Sequence, residues 1–234
     1  MFQYVLFDLD GTLTDPKTGI TSCVQYALAD AGIEEPDLDK LELGDVFYLQ
    51  VLDKLEPFIG PPLTDSFREF YGFDDEQIKR AIDKYHERFD EKGIFENELI
   101  EGIPELLKAL KDAGRRVSIA SSKPRPLVIR ILEHFEIAQY FDTVVGSEFD
   151  GRFATKEAVV EEALKQLVPS VYEKEDVAMV GDRKFDIQGA RAHGLTGIGV
   201  SFGYAGEHEL EDAGADYIVD TVEELQRLLL QGSL

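Results

Sequence analysis

Two carboxylates separated by one residue lie at the end of a short apolar run near the N-terminus. Residues 4–7 read Tyr-Val-Leu-Phe and predict a buried strand, and Asp8, Leu9 and Asp10 follow it. Strand alternation places Asp8 and Asp10 on one side of the strand and Leu9 on the other. Buried carboxylates are costly unless they are paired or bind a cation. The pair could hold a hard metal ion or divide nucleophilic and acid–base work, although Asp10-Gly11 is also a common turn pair.

Other polar side chains follow predicted strands or begin a predicted helix. Those that could share a site with Asp8 and Asp10 are Ser121, Asp182, Asp186 and, at the start of a helix, Lys156. Because the carboxyl ends of parallel strands lie at one edge of a sheet, these residues can converge there. Carboxylates favour Mg²⁺, and a hydroxyl and a lysine beside them favour a bound phosphoryl group. Taken singly, each has a simpler interpretation as a turn, surface or helix-capping residue.

The elements that would position these residues alternate between helix and strand from residue 101 onward. Predicted strands cover residues 117–120, 143–145, 177–180, 196–200 and 217–219. Predicted helices cover residues 103–113, 126–135, 155–167, 187–193 and 222–230. This alternation predicts an α/β fold, a Rossmann-like parallel sheet with helices on both faces.

Residues 16–97 lack this alternation of helices and strands, and their pattern predicts an all-helical domain. Its predicted helices cover residues 18–31, 65–71 and 74–90. We expect this domain to be inserted after the first strand, so that the core comprises residues 1–15 and 98–234.

A five-residue sequence occurs twice inside the predicted helical domain. Leu-Asp-Lys-Leu-Glu occupies residues 38–42 and again residues 52–56, fourteen residues later. We interpret this as a local duplication or insertion near residues 38–56, since two short matches do not make a repeat architecture. The apolar residues 47–49 between the copies could pack or contact a partner.

Composition restricts the class of protein. Apolar residues make up 44% of the 234 residues, and no apolar run approaches the ~20 residues that a membrane helix needs. The N-terminus lacks the basic and long apolar segments of a secretory signal. Cys23 is the only cysteine, which excludes an internal disulfide and predicts a small core residue. We therefore expect a protein of the reducing cytoplasm. The oligomeric state is left open between a monomer and a homodimer.

The formal net charge of −23 restricts the partners. Nucleic acid and anionic membranes both require a basic surface, so neither is expected to bind. An anionic substrate would be repelled by the overall field, and local cations or a bound metal would have to overcome that repulsion.

Together these motifs resemble those of the haloacid dehalogenase superfamily hydrolases. The family's first motif, Asp-x-Asp-Gly-Thr, matches residues 8–12, and its fourth, Gly-Asp-x-x-x-Asp, matches residues 181–186. Ser121 and Lys156 match the second and third motifs. The helical insert is similar to that of the subgroup with a helical cap. The sequences Gly-Pro-Pro-Leu at residues 60–63 and Ser-Ser-Lys-Pro at residues 121–124 resemble the phosphoglycolate phosphatase-like branch.

The resemblance implies a role for each matching residue. Asp8 would attack phosphorus as the nucleophile, and Asp10 would shuttle the proton. Ser121 and Lys156 would complete the catalytic set. Mg²⁺ would be held by Asp8, Asp10 (through its backbone carbonyl) and Asp182, with Asp186 behind them. Substrate contacts are assigned to Gly11, Thr12, Ser122, Lys123 and Arg183, with Lys17 and Ser66 as weaker candidates.

These roles predict a Mg²⁺-dependent phosphatase that hydrolyses a small phosphorylated metabolite through an aspartyl-phosphate. Phosphoglycolate and a nucleoside monophosphate, the substrate of a 5′-nucleotidase-like enzyme, are the leading substrates. A pyrophosphatase and a sugar phosphate mutase similar to β-phosphoglucomutase are the enzymatic alternatives. A non-enzymatic protein that binds phosphate and docks a partner is the alternative from another class.

Overall fold

The computed structural model of the protein describes residues 2–33, 54–168 and 172–232. The chain divides into two units, a larger one of Met1–Asp15 with Leu99–Leu234 and a smaller one of Pro16–Glu98. Among the described residues, no helix has the length and apolar character needed to span a bilayer.

A six-stranded parallel sheet forms the centre of the larger unit. Its strands are β1 (Tyr4–Phe7), β4 (Arg116–Pro124), β5 (Thr143–Ser147), β6 (Val177–Gly181), β7 (Thr196–Val200) and β8 (Tyr217–Val219). The strand order is β5-β4-β1-β6-β7-β8. Successive strands run outward from β1 first to one side and then to the other, so β1 lies at the topological switch point. Ligands bind at the carboxyl edge of such a point.

Strand β1 is buried and in register with both neighbours. Phe7 pairs with Ile119 of β4 and with Val180 of β6. Leu6 faces a core that includes Val160 and Met179, and alternation turns its neighbours in β1 to the other face. This continuous apolar run is typical of a strand covered on both faces.

Helices alternate with these strands along the larger unit. They are α4 (Ile103–Asp112), α5 (Arg125–His134), α6 (Lys156–Leu167), α7 (Lys184–Ala192), α8 (Glu209–Ala213) and α9 (Val222–Gln231). Local capping fixes several starts: Thr155 accepts a hydrogen bond from the N–H of Ala158 at α6, and Thr221 accepts one from Glu224 at α9. The alternation of helices with the strands of the six-stranded sheet confirms the prediction of an α/β fold.

The smaller unit contains α1 (Lys17–Asp30), α2 (Leu63–Tyr71) and α3 (Asp75–Phe89). Helix α3 begins at a capping box, in which Asp74 and Gln77 each accept the other's backbone N–H at 2.9 Å. Cys23 is fully buried in α1, as predicted. The repeated sequence and residues 47–49 lie outside the described residues, except for residues 54–56. The prediction that this unit caps the site stays a prediction.

Some predicted boundaries were wrong. Strand β4 continues to Pro124 instead of ending at Ala120, with a break in register between Ser121 and Pro124. Helix α7 begins at Lys184 and not at Ile187, because Arg183 and Asp186 form its N-terminal turn. Helix α8 and the short paired strands β2 (Thr14–Asp15) and β3 (Glu98–Leu99) had no recognised sequence signal.

Candidate active site

Three carboxylates converge at the carboxyl edge of the sheet. Asp8 follows β1, Asp182 follows the neighbouring strand β6, and Asp186 lies in the first turn of α7. One oxygen of each lies within 4.8 Å of the others. Asp182 and Asp186 are only 1% and 0% exposed. The fold thus brings together acids that are far apart in sequence, at the edge where they were predicted to meet.

Lys156 joins this carboxylate cluster from the first turn of α6. Its Nζ lies 2.9 Å from Oδ1 of Asp8 and 2.8 Å from Oδ1 of Asp186. It also donates to the carbonyl of Ala120 at 3.1 Å. Burial lowers the pKa of Lys156, but the charges of Asp186 and Asp8 raise it by more, so the side chain is an ammonium ion at neutral pH.

The cluster carries more negative than positive charge. Among the described residues, the three carboxylates face one buried ammonium group, that of Lys156. Burial and the charges of Asp186 and Asp8 raise the pKa of Asp182 well above its usual range, and burial also raises that of Asp186. A divalent cation would relieve this repulsion. The donor set consists of carboxylate oxygens, which are the ligands that Mg²⁺ prefers, so these residues fit that ion.

Asp10 forms a separate ion pair beside the cluster. Its Oδ2 lies 2.8 Å from Nζ of Lys123, and the two side chains are 14% and 8% exposed. Burial raises the pKa of Asp10, and Lys123 offsets only part of that increase. Among the described residues, Oδ1 of Asp10 has no hydrogen-bond partner although it is buried. This carboxyl group therefore retains an open position for a proton or a ligand.

Ser121 and Ser122, which were predicted to bind the phosphorylated substrate, lie at the break in register of β4. Ser121 is 2% exposed, and its Oγ accepts the N–H of Lys123 at 3.3 Å. The hydroxyl of Ser147 donates to the carbonyl of Ser122 at 2.7 Å. A Cβ on Gly146 would lie 2.5 Å from the carbonyl oxygen of Lys123, so β5 packs closely against the break and supports it.

Gly11 and Thr12 contact Asp182 directly. Gly11 has φ +76°, and a Cβ there would lie 2.1 Å from Oδ2 of Asp182. Thr12 is fully buried and its hydroxyl donates to Oδ1 of Asp182 at 3.5 Å. Any substrate contact of these two residues stays a prediction, but their contact with the acid gives them a role in its placement.

Arg183 lies at the start of α7, next to the cluster. Its backbone N–H donates to Oδ2 of Asp186 at 3.0 Å, and its Nε donates to Glu209 at 2.9 Å. Of the weaker candidates in the smaller unit, Lys17 pairs with Glu56 at 2.6 Å. Ser66 is 2% exposed and donates to the carbonyl of Pro62 at 3.4 Å.

Sequence reasoning missed the loop that follows β7. The backbone N–H of Tyr204 donates to Oδ2 of Asp182 at 2.8 Å, and Glu209 accepts from both Arg183 and the N–H of Lys184. The available signal was the position of Gly203-Tyr204 just beyond a predicted strand, at the edge where the motif residues were expected.

Comparison with known proteins supplies the class. Residues 5–200 match the model of the family described as haloacid dehalogenase-like hydrolase. The chain belongs to this family. A 5′-nucleotidase of Pseudomonas aeruginosa is 42% identical over 210 residues, 89% of this chain and 87% of the relative. A predicted phosphatase of Clostridium acetobutylicum superposes with a TM-score of 0.85 at 43% identity, and the match covers 99% of each chain.

Two further relatives carry other names. Tyrosine-protein kinase PtkA of Mycobacterium tuberculosis is 36% identical over 230 residues, 97% of this chain and 72% of the relative. Phosphoglycolate phosphatase of Salmonella typhi is 29% identical over 236 residues, 94% of this chain and 90% of the relative. The predictions of an enzyme and of a haloacid dehalogenase-type phosphatase are confirmed, and the non-enzymatic alternative is set aside.

Proposed function

We propose that this phosphatase is Mg²⁺-dependent and hydrolyses a small phosphate monoester through an aspartyl-phosphate on Asp8. The arrangement around Asp8 carries the proposal. Its carboxylate pairs with Lys156 at 2.9 Å and shares a cluster with two acids that are almost fully buried. A carboxylate nucleophile divides a difficult displacement into two easier steps.

Asp8 and Asp10 divide the chemistry. An oxygen of Asp8 attacks phosphorus while the bond from phosphorus to the leaving oxygen breaks, and Asp10 donates a proton to that oxygen. Asp10 then takes a proton from a water molecule, which attacks phosphorus and releases inorganic phosphate and free Asp8. The pKa of Asp10, which burial raises, supports its role as the acid of the first step.

The buried cations and hydroxyl groups of the site would hold the phosphoryl group. Lys156 is held between Asp8 and Asp186 and supplies positive charge where negative charge accumulates. Ser121 lies at the break in β4, where its hydroxyl can donate to a phosphoryl oxygen. We assign the remaining phosphoryl oxygens to Lys123, which lies beside Asp10, and to Ser122.

Mg²⁺ would be held by Asp8, Asp182 and the backbone carbonyl of Asp10, with Asp186 behind them. Bound there, it would supply positive charge that brings an anionic nucleophile and an anionic substrate together. The excess of buried carboxylates around Lys156 supports this assignment. A bound divalent cation, together with Lys156, would offset locally the repulsion that a chain with net charge −23 exerts on an anionic substrate.

We propose a nucleoside monophosphate as the first substrate to test and phosphoglycolate as the second. The support is the 42% identity with a 5′-nucleotidase, against 29% with a phosphoglycolate phosphatase. Pyrophosphate and sugar phosphates follow. For sugar phosphates, formation of an isomer without phosphate release would indicate a mutase.

A phosphate-release screen tests the proposal. The purified protein is assayed against nucleoside monophosphates, phosphoglycolate, pyrophosphate and hexose phosphates, with Mg²⁺ and with EDTA. We expect Mg²⁺-dependent turnover of at least one monoester. Asp8→Asn, which preserves the shape of the side chain, should lower that turnover by about 10³-fold or more. Full activity in EDTA would contradict the metal assignment, and full activity of Asp8→Asn would contradict the nucleophile.

A second candidate is phosphoryl transfer to a protein hydroxyl group. The 36% identity with a protein named tyrosine-protein kinase over 97% of the chain favours testing it. Incubation with γ-labelled ATP, with and without a tyrosine-containing acceptor, separates the two functions. Label on the acceptor would support transfer, whereas label released only as inorganic phosphate would support hydrolysis.

A further inference from the structure

We propose that the loop over residues 201–208, here called the β7–α8 loop, positions Asp182 for metal binding, and that Tyr204 fixes the loop. This inference rests on the proposed function, because it assigns Asp182 to a metal site. It adds a positioning residue that belongs to none of the four motifs.

The loop contacts the metal-binding acid through its backbone. The N–H of Tyr204 donates to Oδ2 of Asp182 at 2.8 Å, while the hydroxyl of Thr12 donates to Oδ1 at 3.5 Å. Asp182 is 1% exposed, so water cannot substitute freely for these donors. The two contacts together set the rotation of the carboxylate plane.

The loop is packed so closely that it has little freedom to move. A Cβ on Gly203 would lie 2.3 Å from Cβ of Asp182 and 2.5 Å from the carbonyl oxygen of Gly11. A Cβ on Gly11 would lie 2.9 Å from the ring of Tyr204. A displacement of the loop would therefore be transmitted to Asp182 and to the Asp-Gly-Thr turn.

Side chains hold the loop at both ends. The hydroxyl of Tyr204 donates to Oδ1 of Asp15, in strand β2. At the other end, Oε2 of Glu209 accepts the N–H of Gly206 at 3.1 Å. Oε1 of the same carboxylate accepts the N–H of Lys184 at 2.8 Å, in the turn that carries Asp186. The loop is thus hydrogen-bonded to strand β2 through Tyr204, and it is linked through Glu209 to helix α7, which carries Asp186.

Partners outside the ligand shell commonly change metal affinity by 10–100-fold when they are removed. Tyr204→Phe removes the hydroxyl that binds Asp15 and leaves the ring and the backbone N–H in place. We expect the dissociation constant for a divalent metal to rise by about 10-fold. Asp15→Ala removes the acceptor and should have the same effect.

The test is a Mn²⁺ titration of the substrate-free protein, with free Mn²⁺ measured by electron paramagnetic resonance. Tyr217→Phe is the matched control, since it removes a hydroxyl from a tyrosine on β8 that is 36% exposed. The control should keep the wild-type dissociation constant. The Tyr204→Phe, Asp15→Ala double variant should be no weaker than either single variant, because both remove the same hydrogen bond.

The outcomes separate this inference from the proposed function. Wild-type Mn²⁺ affinity in Tyr204→Phe would overturn the inference, even if the thermal stability of that variant fell. A wild-type protein that binds no Mn²⁺ would overturn both the metal assignment and the inference. Weaker Mn²⁺ binding, together with a rise in the Mg²⁺ concentration that gives half-maximal phosphatase activity, would support both.

Discussion

Aspartate side chains at the two edges of the central sheet lie in opposite electrostatic environments. At the amino edge, Asp142 precedes β5 and accepts the N–H of Val117 at 2.8 Å, with Lys111 at 3.0 Å and Arg116 at 2.9 Å. Burial raises the pKa of Asp142, but these donors lower it by more. At the carboxyl edge, burial and neighbouring carboxylates raise the pKa of Asp182.

This difference is the one we expect between carboxylates that stabilise the fold and carboxylates that bind a metal or a substrate. Asp142 is matched by cations and donors, so its charge stabilises the fold. Asp182 is buried beside two other acids, so its charge costs stability that the apolar core must offset. Clusters of perturbed acids are typical of sites that bind a metal or a substrate. The comparison therefore predicts opposite effects when a carboxylate is neutralised at one edge or at the other.

The largest effect on phosphatase activity is expected when the positive charge of Lys156, at the carboxyl edge of the sheet, is removed. Lys156→Met removes the only ammonium group that contacts both Asp8 and Asp186 among the described residues. We expect phosphatase activity to fall by about 10³-fold, since the charge that stabilises the transferring group is lost. Steady-state phosphate release, with folding checked by circular dichroism, measures the effect.

Lys165 provides the control on the same helix. It pairs with Glu161 at 2.8 Å, and its side chain is 61% exposed. Lys165→Met should leave the activity within about twofold of the wild type, because an exposed pair contributes little. Equal activity losses in the two variants would mean that Lys156 acts through helix α6 as a whole and not through its charge.

Neutralising Asp182 should stabilise the metal-free protein. Asp182→Asn keeps an oxygen for the N–H of Tyr204 and removes a charge from a buried, negative cluster. We expect the free energy of unfolding in EDTA at pH 7 to increase by about 1–2 kcal/mol while phosphatase activity is lost. The pKa of this acid is raised in the folded state, so the wild type loses stability as pH rises above the ordinary range of aspartate.

Mg²⁺ should reverse this order of stabilities. A ligand that binds only the folded state stabilises it by mass action, so Mg²⁺ should raise the melting temperature of the wild type more than that of Asp182→Asn. A destabilised Asp182→Asn protein in EDTA would show that the carboxylate is structural.

Neutralising Asp142 should lower the free energy of unfolding, and the change should be smaller than the increase expected for Asp182→Asn. Asp142→Asn should lower the free energy of unfolding at pH 7 by about 1 kcal/mol, because its hydrogen bonds to charged groups are weakened. The pKa of Asp142 is lowered in the folded state, so its contribution is present above the ordinary value of about 3.9 and is lost at lower pH. Urea unfolding from pH 7 to pH 3 should show the two proteins converging.

Asp112 is the matched control for this prediction. It pairs with Lys108 on the surface of α4, and both side chains are more than 60% exposed. Asp112→Asn should leave the urea midpoint unchanged at every pH. A difference between Asp142→Asn and the wild type that persists unchanged at pH 3 would show that lost packing, and not lost charge, causes the destabilisation.

The sequence was sufficient to predict most of the elements. Long apolar runs and alternating periods identified every strand of the central sheet, because burial on both faces leaves a plain pattern. Short elements were missed, since the two residues of β2 and the five of α8 carry too little pattern to read. The extension of β4 past Ser121 was missed because Pro124 resembles a stop, whereas the strand continues beyond a break in register.

Within the candidate site, the charged residues near the strand ends could be predicted from the sequence. Asp8, Asp182 and Lys156 could be placed together because a parallel sheet aligns those ends. Sequence could not reveal that Lys123 pairs with Asp10, nor that Tyr204 reaches Asp182 through its backbone. Such contacts depend on loop paths, and a backbone donor leaves no mark on residue type.

Identification of the phosphorylated residue tests the central claim most directly. The wild-type protein is mixed with its fastest substrate in Mg²⁺, quenched in acid within the first turnovers, treated with borohydride and digested for mass spectrometry. Borohydride reduces an acyl phosphate to an alcohol, so an aspartyl-phosphate on Asp8 predicts homoserine at position 8. Absence of that product during active turnover, or its appearance at Asp10 or Asp182, would contradict the account.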